Sequence, residues 1–323
     1  MIDVRLLTKN YGPYRAVDQI SFSVKKGEVV GFLGPNGAGK TTTMKIITGF
    51  MAPTSGTASV AGFDVFENPI EVKRRIGYLP ETPPVYGEMT VESYLRFVAR
   101  LKGVERSRVS TLVERALERT ELGPVRKRLI QNLSKGYRQR VGISQALVSE
   151  PEVLILDEPT VGLDPRQVAE VRDLIKELAG QHTVILSTHI LPEVQATCQR
   201  IIIINKGKIV AEDSLETIGR RMQGTSRVHL RVSEGGEALV NKLRSLAGVR
   251  NVESRAPGVF EIETDGTKGV SQSLAAAVVS SGAGLLELRE EALNLEDVFL
   301  KLTTSEESQQ ETEEKSPYEG AQS

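Results

Sequence analysis

Apolar residues along this chain fall into two kinds of run. One is short and dense: Val29-Val30-Gly31-Phe32-Leu33 leaves no polar face, the pattern of a strand buried on both sides. Similar short segments at Val4–Thr8, Gln19–Val24, Glu28–Leu33, Thr57–Ala61 and Arg75–Leu79 read as strands, with Lys40–Thr48 as a helix. The second kind repeats every three or four residues, as in Val109, Leu112, Val113, Ala116 and Leu117, and predicts an amphipathic helix. A helical stretch also opens at Thr90; the 109–117 helix stops at Gly123-Pro124, and a further helix runs from Ser134 to about Val148. Residues 81–149 therefore read as a mostly helical insertion between two α/β portions. Strand character returns at Val153–Leu156, Thr183–Leu186 and Ile201–Ile204, the last leading through Asn205-Lys206-Gly207 into a hairpin with Lys208–Ala211. Parallel strands alternating with helices imply a doubly wound α/β domain.

Residues 226–303 have a different rhythm. Strand (Arg227–Val232), helix (Glu237–Leu246), two strands (Val249–Ser254, Val259–Thr264), helix (Val270–Ser281) and strand (Leu285–Leu288) make a β-α-β-β-α-β order, that of a small split-βαβ domain. A short helix at Asn294–Thr303 is expected to close it. Residues 304–323 hold six glutamates and one lysine, and such a charged, apolar-poor segment is expected to be a disordered acidic tail. The division is thus 1–225, 226–303 and 304–323.

Composition narrows the function. With 323 residues there is sequence for about two domains. Forty-one basic against forty-two acidic residues leave a net charge of −1, so no overall field favours nucleic acid, and no nucleic-acid partner is expected. The single cysteine, Cys198, excludes an internal disulfide framework and fits a reducing cytosol. The amino terminus lacks an apolar signal core. The longest uncharged stretches, Ile46–Phe63 and Gly269–Leu286, are interrupted by proline, glycine or serine and do not read as membrane spans. Work at a membrane would require docking on a partner.

The most specific chemistry lies between strand Val29–Leu33 and helix Lys40–Thr48. Gly34-Pro35-Asn36-Gly37-Ala38-Gly39-Lys40-Thr41 satisfies G-x-x-x-x-G-K-[ST] in the strand-to-helix context that the motif requires. Glycines let backbone N–H groups converge on phosphate oxygens, and the helix N-terminus adds positive potential. Lys40 supplies a point charge to the β- and γ-phosphates, and Thr41 offers a hydroxyl to Mg²⁺. Such a loop calls for a metal-binding aspartate at the end of another apolar strand. Val153-Leu154-Ile155-Leu156-Asp157 provides it, and Glu158 follows as a carboxylate free to polarise the attacking water.

Further motifs follow in order. Leu133-Ser134-Lys135-Gly136-Tyr137-Arg138-Gln139-Arg140, Leu154–Pro159, Gly162-Leu163-Asp164 and Leu186-Ser187-Thr188-His189, together with the phosphate loop, resemble the ATP-binding-cassette (ABC) ATPases. The resemblance covers about residues 1–220, and its wording is similar to cassettes that power separate permeases in drug, polysaccharide and gliding-type export. It implies an α/β P-loop NTPase domain with a helical subdomain, plus a small α+β C-terminal domain. It also implies an ATPase using ATP and Mg²⁺, which pairs head-to-tail with a second ABC ATPase subunit, expected to be another copy of itself. The integral membrane permease is then a separate polypeptide, and the subunit lies on the cytoplasmic face of the cell membrane. The alternative is a non-transport cassette ATPase acting in assembly or in nucleic-acid or translation maintenance, a type that tends to carry tandem cassettes or a long coiled coil.

By the same resemblance Tyr11 stacks on adenine with Val17 packed nearby, while Asn36, Gly37, Ala38, Gly39, Lys40, Thr41 and Thr42 hold the phosphates. Ser134, Lys135, Gly136 and Tyr137 contact ATP bound to the partner, and Asp164 lies at that interface. His189 hydrogen-bonds the γ-phosphate. Two positions depart from the family: Glu81 stands where glutamine is usual, keeping an oxygen for the metal, and Lys135 stands where glycine is common. Lys135 is read either as a charge for the partner's γ-phosphate or as a lysine pointing to solvent. His182 and His229 match no motif and read as structural, and Cys198 reads as packing on a helix. Arg126-Lys127-Arg128 reads as a solvated charge run. Residues Thr82–Tyr94, after Glu81, are placed to receive a permease loop.

Overall fold

The computed structural model describes residues 1–214, 217, 226–233, 236–265, 267 and 269–292. It divides after Leu215 into two compact units. The first contains two sheets where the sequence pattern suggested one. Strands β1 (Ile2–Tyr11), β2 (Tyr14–Val24), β4 (Ser55–Val60) and β5 (Phe63–Asp64) form an antiparallel sheet in the order β2-β1-β4-β5. Strands β3 (Val29–Leu33), β6 (Ile76–Leu79), β7 (Val153–Asp157), β8 (Thr183–Thr188), β9 (Arg200–Asn205) and β10 (Lys208–Ser214) form the other, in the order β10-β9-β3-β8-β7-β6. Five of these run parallel, and β10 pairs antiparallel with β9 as the expected hairpin. Every residue of β3 and β7 is buried, as a strand covered on both faces must be.

Helices fill the crossovers: α1 (Lys40–Ile47), α2 (Pro69–Arg75), α6 (Pro165–Leu178) and α7 (Leu191–Thr197). Of these only α1 is named by the sequence reading. Cys198, expected on a helix, has extended backbone just past α7; it is buried, and burial pushes its thiol up to about 12, which suits packing rather than redox chemistry.

The helical portion comprises α3 (Val91–Leu101), α4 (Val109–Arg119) and α5 (Lys135–Leu147). All five periodic residues of α4 are buried, and the portion has its own core around Leu95, Val98, Val113, Leu117 and Val141. Thr90 caps α3 by accepting from the Ser93 N–H. Arg126 is not simply solvated: it bridges Glu92 of α3 and Glu114 of α4. Helix α5 also grips β6. Gln145 Nε2 donates to the Tyr78 carbonyl at 2.6 Å, and a Cβ on Gly77 would lie 2.0 Å from the Ala146 carbonyl oxygen, so only glycine permits this approach.

The second unit contains β11 (Ser226–Val232), α8 (Glu237–Arg244), β12 (Val249–Ala256), β13 (Val259–Thr264), α9 (Val270–Ser280) and β14 (Leu285–Ala292). Its antiparallel sheet has the order β12-β13-β11-β14, the split-βαβ arrangement expected from the element order. Val228, Leu230 and Val232 alternate with Arg227, His229 and Arg231, so one face packs on Leu239, Leu243, Leu274 and Val278. His229 pairs loosely with Glu261 at 3.9 Å on the polar face. The helix expected at Asn294–Thr303 and the expected disordered tail at 304–323 lie outside the described residues.

Candidate functional site

Parallel strands of the central sheet end at one edge, and there the loops after β3, β6, β7 and β8 converge, the place where open α/β sheets bind ligands. A cavity of about 460 Å³ lies there, lined by Tyr11, Tyr14, Ala16, Asn36, Gly37, Gly39, Lys40, Thr41, Thr42, Glu81, Glu158, Val161 and His189. Residues picked from five separate stretches of sequence thus share one wall.

The loop itself is fixed by close approach. Gly34 N–H donates to the Thr188 carbonyl at 3.3 Å, tying the loop to the end of β8. Gly39 has φ of +105°, and a Cβ there would meet the Ala16 carbonyl oxygen at 2.5 Å. A Gly39→Ala substitution is therefore strained twice over. The backbone conformation alone costs about 1–2 kcal/mol, so titration with a fluorescent ATP analogue is expected to show roughly tenfold weaker binding or worse. Lys40, buried, donates to the Gly34 carbonyl at 2.8 Å and the Pro35 carbonyl at 3.2 Å, and lies 3.4 Å from Glu158 Oε1. Glu158 also meets His189, whose Nδ1 is 3.0 Å from both carboxylate oxygens. Lys40, Glu158 and His189, 149 positions apart at the extremes, form one connected group.

Glu158 is held there at a conformational cost. Its φ is +50°, a left-handed backbone that side chains rarely adopt. Its N–H donates to the Ser187 carbonyl at 2.8 Å, and buried Gln139 of α5 donates to the next carbonyl, Pro159, also at 2.8 Å. Beside it, Asp157 is fully buried. Its Oδ1 accepts from the Ser187 hydroxyl at 2.7 Å, while its Oδ2 has no hydrogen-bond partner among the described residues. Burial pushes the Asp157 carboxyl up, and neighbouring Glu158 adds to this; the Ser187 and Thr41 hydroxyls and the Lys40 ammonium oppose it. A buried carboxylate oxygen without a partner, next to the Thr41 hydroxyl, is an all-oxygen arrangement suited to a small hard cation. Among the described residues no cluster of three His, Cys, Asp or Glu offers an alternative metal site.

Several expected residues lie elsewhere. Val17 is wholly buried beneath Gly39 and does not line the cavity; its neighbour Ala16 does. The side chain of Ala38 packs into the core, and its N–H donates to the Pro35 carbonyl at 3.2 Å. Tyr11 is on the wall, but so is Tyr14, which the sequence reading missed: the β1–β2 turn sets the two rings across from each other, and the Tyr14 hydroxyl is 3.5 Å from the Gly37 carbonyl. Glu81 is exposed at the rim.

Ser134, Lys135, Gly136 and Tyr137 are absent from this wall. They form the first turn of α5, where Ser134 accepts from the Tyr137 N–H. Lys135 is exposed, and its side chain also approaches the same chain. Its ammonium lies so near Gly162 of the same chain that a Cβ there would be 1.7 Å away. Asp164 caps α6 by accepting from the Gln167 N–H at 2.9 Å. His182 is buried, with Nδ1 2.6 Å from the Pro151 carbonyl, and burial lowers its pKa.

Residues 17–161 match the family model described as ABC transporter. The bacitracin transport ATP-binding protein BcrA of Bacillus licheniformis is 34% identical over 92% of this chain and 95% of its own length. The chain belongs to the ATP-binding subunits of ABC transporters. The linearmycin resistance ATP-binding protein LnrL of Bacillus subtilis is 35% identical to this ABC subunit over 94% of the chain and 98% of its own length. A solved ATP-binding subunit of an ABC transporter covers 68% of the ABC subunit and 92% of its own chain at 32% identity and a TM-score of 0.64. The dimeric bacterial cassette MJ0796 covers 67% and 99% at 25% identity and 0.62. The subunit is thus a nucleotide-binding P-loop ATPase, and the alternative of a non-transport cassette ATPase is not favoured. Among the described residues no helix is long and apolar enough to cross a membrane.

Proposed function

We propose that this subunit pairs with a second copy on binding ATP and Mg²⁺, hydrolyses the γ-phosphate, and so drives a separate membrane permease in export of drug-like compounds. The observation that carries this reading is the division of the machinery: one chain's cavity holds Lys40, Glu158 and His189, while Ser134–Tyr137 open a different helix and do not line it. A partner related head-to-tail supplies the missing helix N-terminus, whose N–H groups suit an anion.

Within the cavity, loop N–H groups and Lys40 bind the phosphates, with Tyr11 and Tyr14 against the base. Glu158 accepts the proton of the attacking water; His189, bonded to Glu158, orients the transferring phosphate. Thr41 and Asp157, with Glu81 at the rim, would hold Mg²⁺, which when bound neutralises charge on the phosphate oxygens. The export direction is supported by the bacitracin and linearmycin relatives. Permease docking is supported by exposed Tyr86, Phe97 and Leu101, with the Tyr86 and Phe97 rings 5.7 Å apart, adjoining the segment after Glu81. Such a subunit works at the cytoplasmic face of the cell membrane.

The test is concentration dependence. ATPase activity per subunit is expected to rise with protein concentration and to plateau once pairs form, with sedimentation showing a dimer only when ATP is present. Activity per subunit that stays constant on dilution through the monomer range refutes the shared site. Co-purification of a membrane protein with the tagged subunit identifies the permease.

A further inference from the structure

Helix α7 follows the His189 turn, and Glu193 in its first turn is only 2% exposed. A buried carboxylate is costly unless its oxygens are satisfied, and both of these are. The Thr160 hydroxyl donates to one oxygen, and the Thr188 hydroxyl donates to the other at 3.0 Å. Thr188 in turn accepts from the Ile190 N–H at 3.1 Å, so its hydroxyl is used in both directions. Both threonines are buried, and none of the three residues lines the nucleotide cavity.

The placement of these partners matters. Thr160 stands two residues after Glu158, and Thr188 immediately precedes His189. Glu158 and His189 already touch on the cavity side. The Thr160–Glu193–Thr188 bridge is a second rung joining the same two segments away from the cavity. We propose that Glu193 is a positioning residue for ATP hydrolysis: it locks the Asp157–Thr160 segment to the Thr188–His189 turn, so that Glu158 and His189 keep one mutual geometry. The inference rests on the reading that Glu158 and His189 face the γ-phosphate.

Carboxylate chemistry is needed for this role. A carboxylate accepts from both hydroxyls at once, whereas a glutamine amide of the same shape has one acceptor and one donor. If its NH₂ faces Thr188, that hydroxyl oxygen meets two donors and its own proton loses its partner. If it faces Thr160, the other end of the bridge fails. Nucleotide binding depends on the loop, Lys40 and the tyrosines; the bridge meets the loop only at Thr188, whose carbonyl accepts from the Gly34 N–H at 3.3 Å, a backbone contact that a change at Glu193 does not remove. Turnover and binding should therefore separate.

The experiment uses the full-length subunit and the variants E193Q and T160V, both near-isosteric so that the fold is kept, with E158Q in parallel. At saturating ATP, E193Q is expected to lower kcat at least tenfold while the Kd for a fluorescent ATP analogue changes less than twofold. The double variant E193Q/T160V is expected to be no slower than E193Q alone, because both remove the same bridge. A kcat for E193Q within twofold of the parent, or kcat and affinity falling by the same factor, overturns the positioning role. E158Q separates the two readings: if it retains full turnover, the assignment of the site is wrong, whereas abolished turnover in E158Q beside normal turnover in E193Q removes Glu193 alone.

Discussion

Glu158→Gln is expected to lower ATP turnover by about 10²–10⁴-fold, the range in which a positioned general base contributes, while leaving ATP bound. The glutamine oxygen can still accept from Lys40, which lies 3.4 Å from the carboxylate, so the site keeps its shape. An amide cannot take the proton of the attacking water. On the proposed reading, in which the pair opens only after hydrolysis, the variant should accumulate as an ATP-bound dimer, visible by size-exclusion chromatography with Mg²⁺ and ATP. Parent-like phosphate release by the purified variant would remove Glu158 from the chemistry.

Lys40→Ala should fail at an earlier step. Charge-assisted hydrogen bonds are worth roughly 1.5–3 kcal/mol each, so losing the ammonium should weaken ATP binding by about 10- to 100-fold, and turnover falls with it. The substitution also strips Glu158 of its cationic neighbour in a pocket where both side chains are about 6–7% exposed. Breaking a buried pair costs on the order of 3–5 kcal/mol, here an upper bound because His189 still contacts the carboxylate. A lower unfolding temperature without nucleotide, together with weak binding of a fluorescent ATP analogue, is the expected signature. Tight binding with slow turnover would place Lys40 in the wrong step.

Motifs made of consecutive residues were legible in the sequence because local backbone geometry defines them. Gly34–Thr41 needs only a strand, a turn and a helix start, and β3 and α1 supply them. Ser134 reads as a helix cap and is one. The β-α-β-β-α-β order of the second unit followed from element order alone. What escaped depends on pairing between distant segments. Strands β1, β2 and β4 alternate much as sheet strands do anywhere, and only their long-range antiparallel register separates them from the central sheet. The exchange of Val17 for Ala16 at the cavity falls where the β1–β2 ladder shifts register, so that Val17 pairs with Lys9 and Arg15 with Asn10 while Ala16 between them is the extra residue, a displacement that sequence alternation does not show. Tyr14 sits three residues after Tyr11 across a Gly-Pro turn, a hairpin signal that would have paired the rings. Glu193 gave no such sign: an acidic residue in a first helical turn is ordinarily solvated, and only the fold shows it enclosed.

Strand β6 is the outermost member of the central sheet, hydrogen-bonded to a neighbour on one side only. Away from the sheet it is held by α5, through Gln145 on Tyr78 and the bare Gly77 backbone under Ala146, and by Lys102 at the end of α3, whose ammonium donates to the Ile76 carbonyl at 2.8 Å. Displacing an edge strand ruptures fewer ladder bonds than displacing an interior one. A pull on residues 82–94 would therefore be carried into the helical portion, α5 included, more readily than into the interior of the sheet. Ser134 rides at the far end of that helix, so the lever arm for any such tug is the helix itself, about 20 Å long at 1.5 Å per residue.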